Sequence, residues 1–415
     1  MVLTHTAILT NLNSNTQCLI DQIKAGSLND VFKGLKTKKG VVFSTAVISH
    51  FIEEEEKHDV KPLTAKSQQT LKTMSSGEQK KALLDYLLEQ SPDYMVLVNP
   101  YDNLDSKSQA YLKKRLESIA SKTLIIQLSN RIEDILPFIL RFGRLKGSEL
   151  HIYGNKADCL KESQSIDKPF LGQIPRPLNK GFKNLNELVA FNNVSVRFGE
   201  KQVLHNITWT IKPGEFWQLI GPNGSGKTTL LTMITGESHK GYGQNLKLFG
   251  QQKGSGESIW DIKRNIGYFT PSLIANFKSY QSLEHMLLSG LYDSIGLYVK
   301  PTKAELQLAH DWLRLLGMQH RQGVYFHQLS EGEKRLLMTA RAMIKHPPLL
   351  ILDEPTVGLD SSSAQLFVTL VNKIAEESES ALIYVSHRSE IGLKPKLLYE
   401  LKKTPLGSEG VRKVV

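Results

Sequence analysis

Short, fully apolar runs closed by polar or charged residues recur along this chain, and they predict strands buried on both faces rather than half-exposed ones. Leu349-Leu350-Ile351-Leu352 runs into Asp353-Glu354, and Leu382-Ile383-Tyr384-Val385 runs into Ser386-His387. Glu215-Phe216-Trp217-Gln218-Leu219-Ile220 runs into a glycine-rich loop, and Thr229–Ile234 behind that loop predicts a helix. Elsewhere the spacing becomes helical: Leu336, Leu337, Ala340, Met343 and Ile344 share one face of a helix predicted over Lys334–Lys345. The first part of the chain repeats the scheme. Leu83, Leu84, Leu87 and Leu88 form an apolar helix face, the segment Tyr94 to Asp105 contains a strand, and Leu124-Ile125-Ile126-Gln127-Leu128 leads into Ser129-Asn130. The repeat is in register, because Ser75 and Ser330, and likewise Asp105 and Asp360, are separated by 255 positions.

The glycine-rich loop is Gly221-Pro222-Asn223-Gly224-Ser225-Gly226-Lys227-Thr228, followed by Thr229. This spacing lets successive backbone N–H groups and the following helix N-terminus face phosphate oxygens. Lys227 is placed to neutralise the β- and γ-phosphates, and the Thr228 hydroxyl to ligate Mg²⁺. ATP and Mg²⁺ are therefore the expected ligands. At the end of the Leu349 strand, Asp353 is suited to the metal shell and Glu354 to polarising an attacking water as general base. His387, after a third parallel strand, is a candidate γ-phosphate sensor.

Taken together, Gly221–Thr229, Leu329-Ser330-Glu331-Gly332-Glu333, Leu352–Pro355, Leu359-Asp360 and His387 resemble an ATP-binding cassette (ABC) ATPase over nearly all of residues 186–415. The resemblance implies an α/β fold of two P-loop cassettes in tandem. The second would carry an antiparallel β layer and a helical subdomain, and the first would be truncated. It also implies that Phe198 stacks on adenine and that the reaction is ATP hydrolysis. Two departures stand out. The family's Leu-Ser-Gly-Gly-Gln signature has Glu331 and Glu333 here, and the glutamine expected after Ile266-Gly267-Tyr268-Phe269 is replaced by Thr270-Pro271-Ser272. The missing glutamine puts fast turnover and ordinary transporter coupling in question.

In the first half the chemistry is absent position by position. Thr10-Asn11-Leu12-Asn13-Ser14-Asn15-Thr16-Gln17-Cys18 stands where the phosphate loop is expected. Lys227 corresponds to Thr16, Thr228 to Gln17, Asp353 to Val98, Glu354 to Asn99 and His387 to Asn130. The strands that carry the adenine aromatic are missing. The interval from loop to signature is 58 residues against 102, so the helical lobe is expected to be trimmed. Ser75-Ser76-Gly77 survives. By the family's head-to-tail pairing, the resemblance implies that Ser75 and Gly77 close over the nucleotide at Lys227 while Ser330 and Gly332 face an eroded site. The alternative is that Met74–Glu78 only caps a helix. The expected organisation is a non-catalytic cassette over 1–155, a linker over 156–185 and a complete cassette over 186–415, its own two halves forming a pseudo-dimer.

Composition adds bounds. Lys and Arg number 52 against 41 Asp and Glu, a net charge of +11 that suits anionic partners or simply a solvated basic surface. Cys18 and Cys159 are too few and too isolated for a disulfide framework. No apolar run nears the roughly 20 residues that span a bilayer, and no signal segment is visible, so a cytoplasmic protein is expected, peripheral at the inner face of the membrane if a permease is its partner. Lys156 to Asn184, with Pro169, Gly172, Pro175, Pro177 and Gly181, reads as a linker that packs through Phe170, Leu171 and Ile174. Glu53–Glu56 reads as a solvated face, and Lys402–Val415 as a mobile basic tail. Among tandem cassettes without a membrane domain the chain is similar to the molybdenum transport ATP-binding proteins of the ModF type, which implies molybdate-linked transport or its regulation. A translation factor bound to ribosomal RNA and a nucleotide-gated regulator with little turnover remain as alternatives.

Overall fold

The computed structural model describes residues 3–11, 14–28, 32–65, 69–161, 170, 172–178, 185–277, 280–321, 323–387 and 390–415. Two compact units emerge: residues 1–165 with 358–362, and residues 166–357 with 363–415.

The first unit follows the order β1 (Thr6–Leu9), α1 (Thr16–Ala25), β2 (Gly40–Phe43), α2 (Thr45–His58), α3 (Ser76–Glu89), β3 (Tyr94–Val98), α4 (Ser106–Ile119), β4 (Leu124–Ser129), β5 (Arg141–Lys146), β6 (Glu149–Tyr153) and α5 (Lys156–Lys161). Its sheet runs β2-β3-β4-β1-β5-β6, parallel except for the β5–β6 hairpin. Helices cover both faces, which is why β3 and β4 are continuous apolar runs: Met95, Leu97 and Ile125 enter one core and Tyr94, Val96, Ile126 and Leu128 the other. Between β2 and α3 the described residues hold α2 and one turn of 3₁₀ helix at Leu71–Thr73, a short insert. The Glu53–Glu56 run lies on α2, with Glu55 turned inward to accept from the Leu71 N–H at 2.9 Å. Helix α5 falls where a linker was expected, and Cys159 on it is fully buried against the first unit's core.

The second unit continues with β7 (Val189–Phe198), β8 (Lys201–Ile211), β9 (Phe216–Ile220), α6 (Lys227–Ile234), β10 (Leu246–Leu248), β11 (Gln251–Gln252), α7 (Ile259–Arg264), β12 (Ile266–Phe269), α8 (Leu283–Leu288), α9 (Lys303–Leu315), α10 (Glu331–Met343), β13 (Leu349–Asp353), α11 (Ser361–Glu377), β14 (Ala381–Val385), β15 (Leu397–Thr404) and β16 (Gly407–Val414). The strand order is β11-β10-β7-β8-β16-β15-β9-β14-β13-β12. The parallel part, β15-β9-β14-β13-β12, carries the motif strands side by side, with β9 between β15 and β14. The antiparallel part is β7 with β8 and β10, and α8, α9 and α10 pack as the helical lobe.

The C-terminal expectation is corrected. Lys402–Val415 is ordered, most of it in the β15–β16 hairpin that completes the sheet. Tyr399 on β15 stacks on Trp209 at 4.4 Å between ring centroids and meets Trp217 edge-on, so this strand is anchored in the core. Before β7, Ile174 is buried and its N–H donates to Glu377 at 2.8 Å, as packing of this segment requires. Pro169, Leu171 and Gly181 lie outside the described residues.

Candidate functional site

Three side chains from three element ends converge in the second unit. The loop after β9 turns through Gly224 (φ +67°) and Gly226 (φ +93°), where L side chains are strained. A Cβ at Gly226 would sit 2.5 Å from Leu204, so the close approach also demands glycine. Lys227 opens α6 and is buried. Its ammonium donates to the Gly221 carbonyl at 2.7 Å and the Pro222 carbonyl at 3.3 Å, and stands 3.2 Å from His387 Nδ1. His387 Nε2 in turn contacts the Glu354 carboxylate. The ring thus stands between the two charged groups, with Nε2 facing the carboxylate and Nδ1 facing the ammonium. Glu354 adopts φ +50°, held by its N–H bond to Val385 at 3.0 Å, and this turn at the end of β13 aims it at the histidine.

Burial opposes ionisation of Glu354, but the hydrogen bond and charge of His387, with Lys227 beyond, hold its carboxyl below the usual glutamate range. Asp353 moves the other way. Burial and the neighbouring Glu354 raise it, against the Tyr268 hydrogen bond and the charges of Lys227 and His387. Asp353 offers a carboxylate and the exposed Thr228 a hydroxyl, hard-oxygen donors of the kind Mg²⁺ takes when phosphates supply the rest. The buried Ser225 hydroxyl finds no hydrogen-bond partner among the described residues and is an orphaned polar group inside the same loop. These residues fit a magnesium–triphosphate ligand. Phe198, at the end of β7, is 47% exposed rather than a core residue, and Lys240 Nζ lies over its ring, 5.2 Å from the centroid.

The sequence departures find physical roles. Glu333 closes a capping box on α10: its carboxylate accepts from the Ser330 N–H and hydroxyl, both at 2.9 Å, while Arg321 pairs with its other oxygen at 2.8 Å. Glu331 pairs with Lys334 at 2.7 Å. Gly332 is required by contact, since a Cβ there would meet Ser363 Oγ at 2.8 Å. Tyr268, whose hydroxyl donates to Asp353 Oδ2 at 3.1 Å, was not among the sequence candidates. A tyrosine two residues before the missing glutamine was the available signal, but only the strand register puts it beside Asp353.

The first unit reproduces this scaffold without its chemistry. Ser75 caps α3 through the same box with Glu78, and a Cβ on Gly77 would meet Ser108 Oγ at 2.6 Å. Asn99 takes φ +43° and its N–H bonds Leu128, matching the backbone at Glu354. Its side chain accepts from the Asn130 N–H at 3.0 Å, so no carboxylate or imidazole is present. At the loop, Asn15 caps α1 by accepting from the Cys18 N–H, Asn15 N–H bonds the Gly147 carbonyl at 2.9 Å, and Ser14 N–H bonds the Asn11 carbonyl at 3.0 Å. Amide donors that would cradle a phosphate are spent internally, and Thr16 offers no cation; Leu12 and Asn13 lie outside the described residues.

The ABC transporter family model matches residues 204–357. The chain is 38% identical over 340 residues to the ABC transporter ATP-binding protein ModF of Escherichia coli (strain K12), covering 79% of this chain and 69% of that protein. The chain belongs to the ABC ATPases. As a tandem-cassette member it is also 30% identical over 325 residues to the ABC transporter ATP-binding protein C323.04 of Schizosaccharomyces pombe (strain 972 / ATCC 24843), covering 77% of this chain and 66% of that one. The chain thus spans about two-thirds of the length of these two ABC proteins. In fold, this ABC chain is similar to the model of ribosome-bound archaeal Pelota and ABCE1, with a TM-score of 0.65 at 16% identity, covering 99% of this chain and 75% of that one. No helix among the described residues is long and apolar enough to cross a membrane.

Proposed function

We propose that the second cassette binds MgATP and hydrolyses it to ADP and phosphate, while the first binds no catalytic nucleotide. The observation that carries this reading is the contact series Lys227–His387–Glu354, which joins the phosphate grip to the general base. When triphosphate binds, the Lys227 ammonium exchanges its loop carbonyls for phosphate oxygens. Glu354, ionised at neutral pH, accepts the proton of the attacking water, and His387 keeps that carboxylate oriented through Nε2. Mg²⁺, held by Thr228 and Asp353, would neutralise charge on the transferring phosphoryl group. Phe198 would stack on the adenine. Ser75 and Gly77 serve in this reading as the lid of the competent site, supported by the retained signature of the first cassette.

The likeness to ModF supports placing the activity in a transport system, molybdate-linked, as its ATPase component or a regulator, with a permease as partner and the cytoplasm as location. A nucleotide-gated regulator is the second reading, favoured by Thr270-Pro271-Ser272 in place of the glutamine. Steady-state phosphate release by the wild type beside Glu354→Gln separates the two. An ATPase loses at least about a hundredfold in rate, the usual scale of a general base, while still binding ATP; equal, slow release from both proteins would leave the regulator.

A further inference from the structure

The metal carboxylate is held from an unexpected side. Strand β12 pairs in parallel with β13 so that Tyr268 lies opposite Ile351, and the phenol reaches diagonally to Asp353 two residues further along. Its 3.1 Å bond to Oδ2 is the hydrogen bond that the Asp353 side chain makes among the described residues. A phenol, ionising near pH 10 when unperturbed, is a donor throughout the physiological range, so the direction of this bond is fixed: hydroxyl to carboxylate. One carboxylate oxygen is thereby tied and the other left for a cation. Tyr268 also lines a groove of about 340 Å³ with Trp260, Phe277, Ile295 and Arg341.

We propose that Tyr268 is the positioning residue for the metal site, orienting Asp353 by its hydroxyl so that the carboxylate meets Mg²⁺ with one oxygen. This rests on the reading of the second cassette as a MgATP site. Groups that orient a ligand set its affinity for the metal, and removing one commonly costs ten- to a hundredfold. Tyr268→Phe keeps the ring in the groove and removes only the donor.

The test is a titration of the full chain, loaded with a fluorescent ATP analogue, with Mg²⁺, and in parallel with Mn²⁺ followed by electron paramagnetic resonance. Tyr268→Phe should need about tenfold more of either metal for half-saturation, with metal-free nucleotide affinity and the thermal midpoint unchanged. In an Asp353→Asn background the same substitution should have no further effect. Superimposed titrations of wild type and Tyr268→Phe overturn the proposal and leave the ATPase reading standing. A parallel loss of metal-free nucleotide affinity and thermal stability in Tyr268→Phe also overturns it, since the hydroxyl would then be structural. A wild type that binds no nucleotide, or whose nucleotide affinity ignores the metal, overturns the underlying reading itself.

Discussion

Glu354 is the residue on which charge, geometry and proposed chemistry meet. Its folded-state pKa is depressed, so ionisation favours the folded protein. The sign follows directly: the stabilising contribution is complete above the unfolded-state value, about 4.3 for glutamate, and is lost as pH falls through the lower folded value. Glu354→Gln should therefore cost stability at pH 7 and progressively less below pH 4. Urea unfolding of both proteins at the two pH values measures the difference, and a gap that widened on acidification would contradict the arrangement. The chain's motifs exposed Lys227, Asp353, Glu354 and His387 because each follows a recognisable run. They could not expose Tyr268, 85 positions from its acceptor, because the pairing depends on the β12–β13 register.

At the level of elements, the two units repeat their supports as well as their motifs. Lys80 on α3 is 5% exposed, and its ammonium donates to the carbonyls of Pro100 at 2.9 Å and Asp102 at 2.7 Å, pinning the turn after β3. Arg335 on α10 does the same for Pro355 at 2.6 Å after β13. A hydrogen bond to a charged group contributes about 1.5–3 kcal/mol, and carbonyls left unsatisfied add to the loss. Lys80→Met should destabilise the first unit by about 3 kcal/mol. All four tryptophans, at 209, 217, 260 and 312, belong to the second unit. The substitution should thus move the far-ultraviolet circular dichroism transition to lower urea while the tryptophan fluorescence transition stays in place. The strands and helices carrying motifs were legible because burial on both faces leaves unbroken apolar runs. The C-terminal hairpin was not. β16 is rich in glycine and polar residues, and Gly410 makes room for its neighbour: a Cβ there would fall 1.9 Å from the Tyr399 hydroxyl. Its place is set by backbone pairing with β15, which leaves no hydrophobic period to read.

For the whole molecule, the asymmetry between a complete and an emptied site predicts a stoichiometry. Equilibrium dialysis with ATP at saturation should give one nucleotide per chain; two would show that the Thr16 loop binds after all. The lid assignment predicts an order of effects in phosphate release, with Ser75→Ala lowering turnover more than Ser330→Ala. The reverse order would assign the lid to a second copy of the chain. Both serines cap their helices in equivalent boxes, so the cost in stability of the two substitutions should be similar, about 1 kcal/mol each, and a difference in turnover would report function. The tandem organisation was readable because the 255-residue offset runs through strands, caps and turns alike. The incorporation of α5 into the first unit was not, since Cys159 on this short polar helix is buried through tertiary contact that no sequence period announces.

The placement of β15 beside β9 has a consequence for biosynthesis. The strand that leads into Lys227 is completed on one side by residues 397–400, which are translated long after it. Until they emerge, β9 has an open flank, and Trp209 and Trp217 lack the ring of Tyr399. Nucleotide grip should therefore wait for residues 397–400, and a product terminated before them would be unable to sequester ATP.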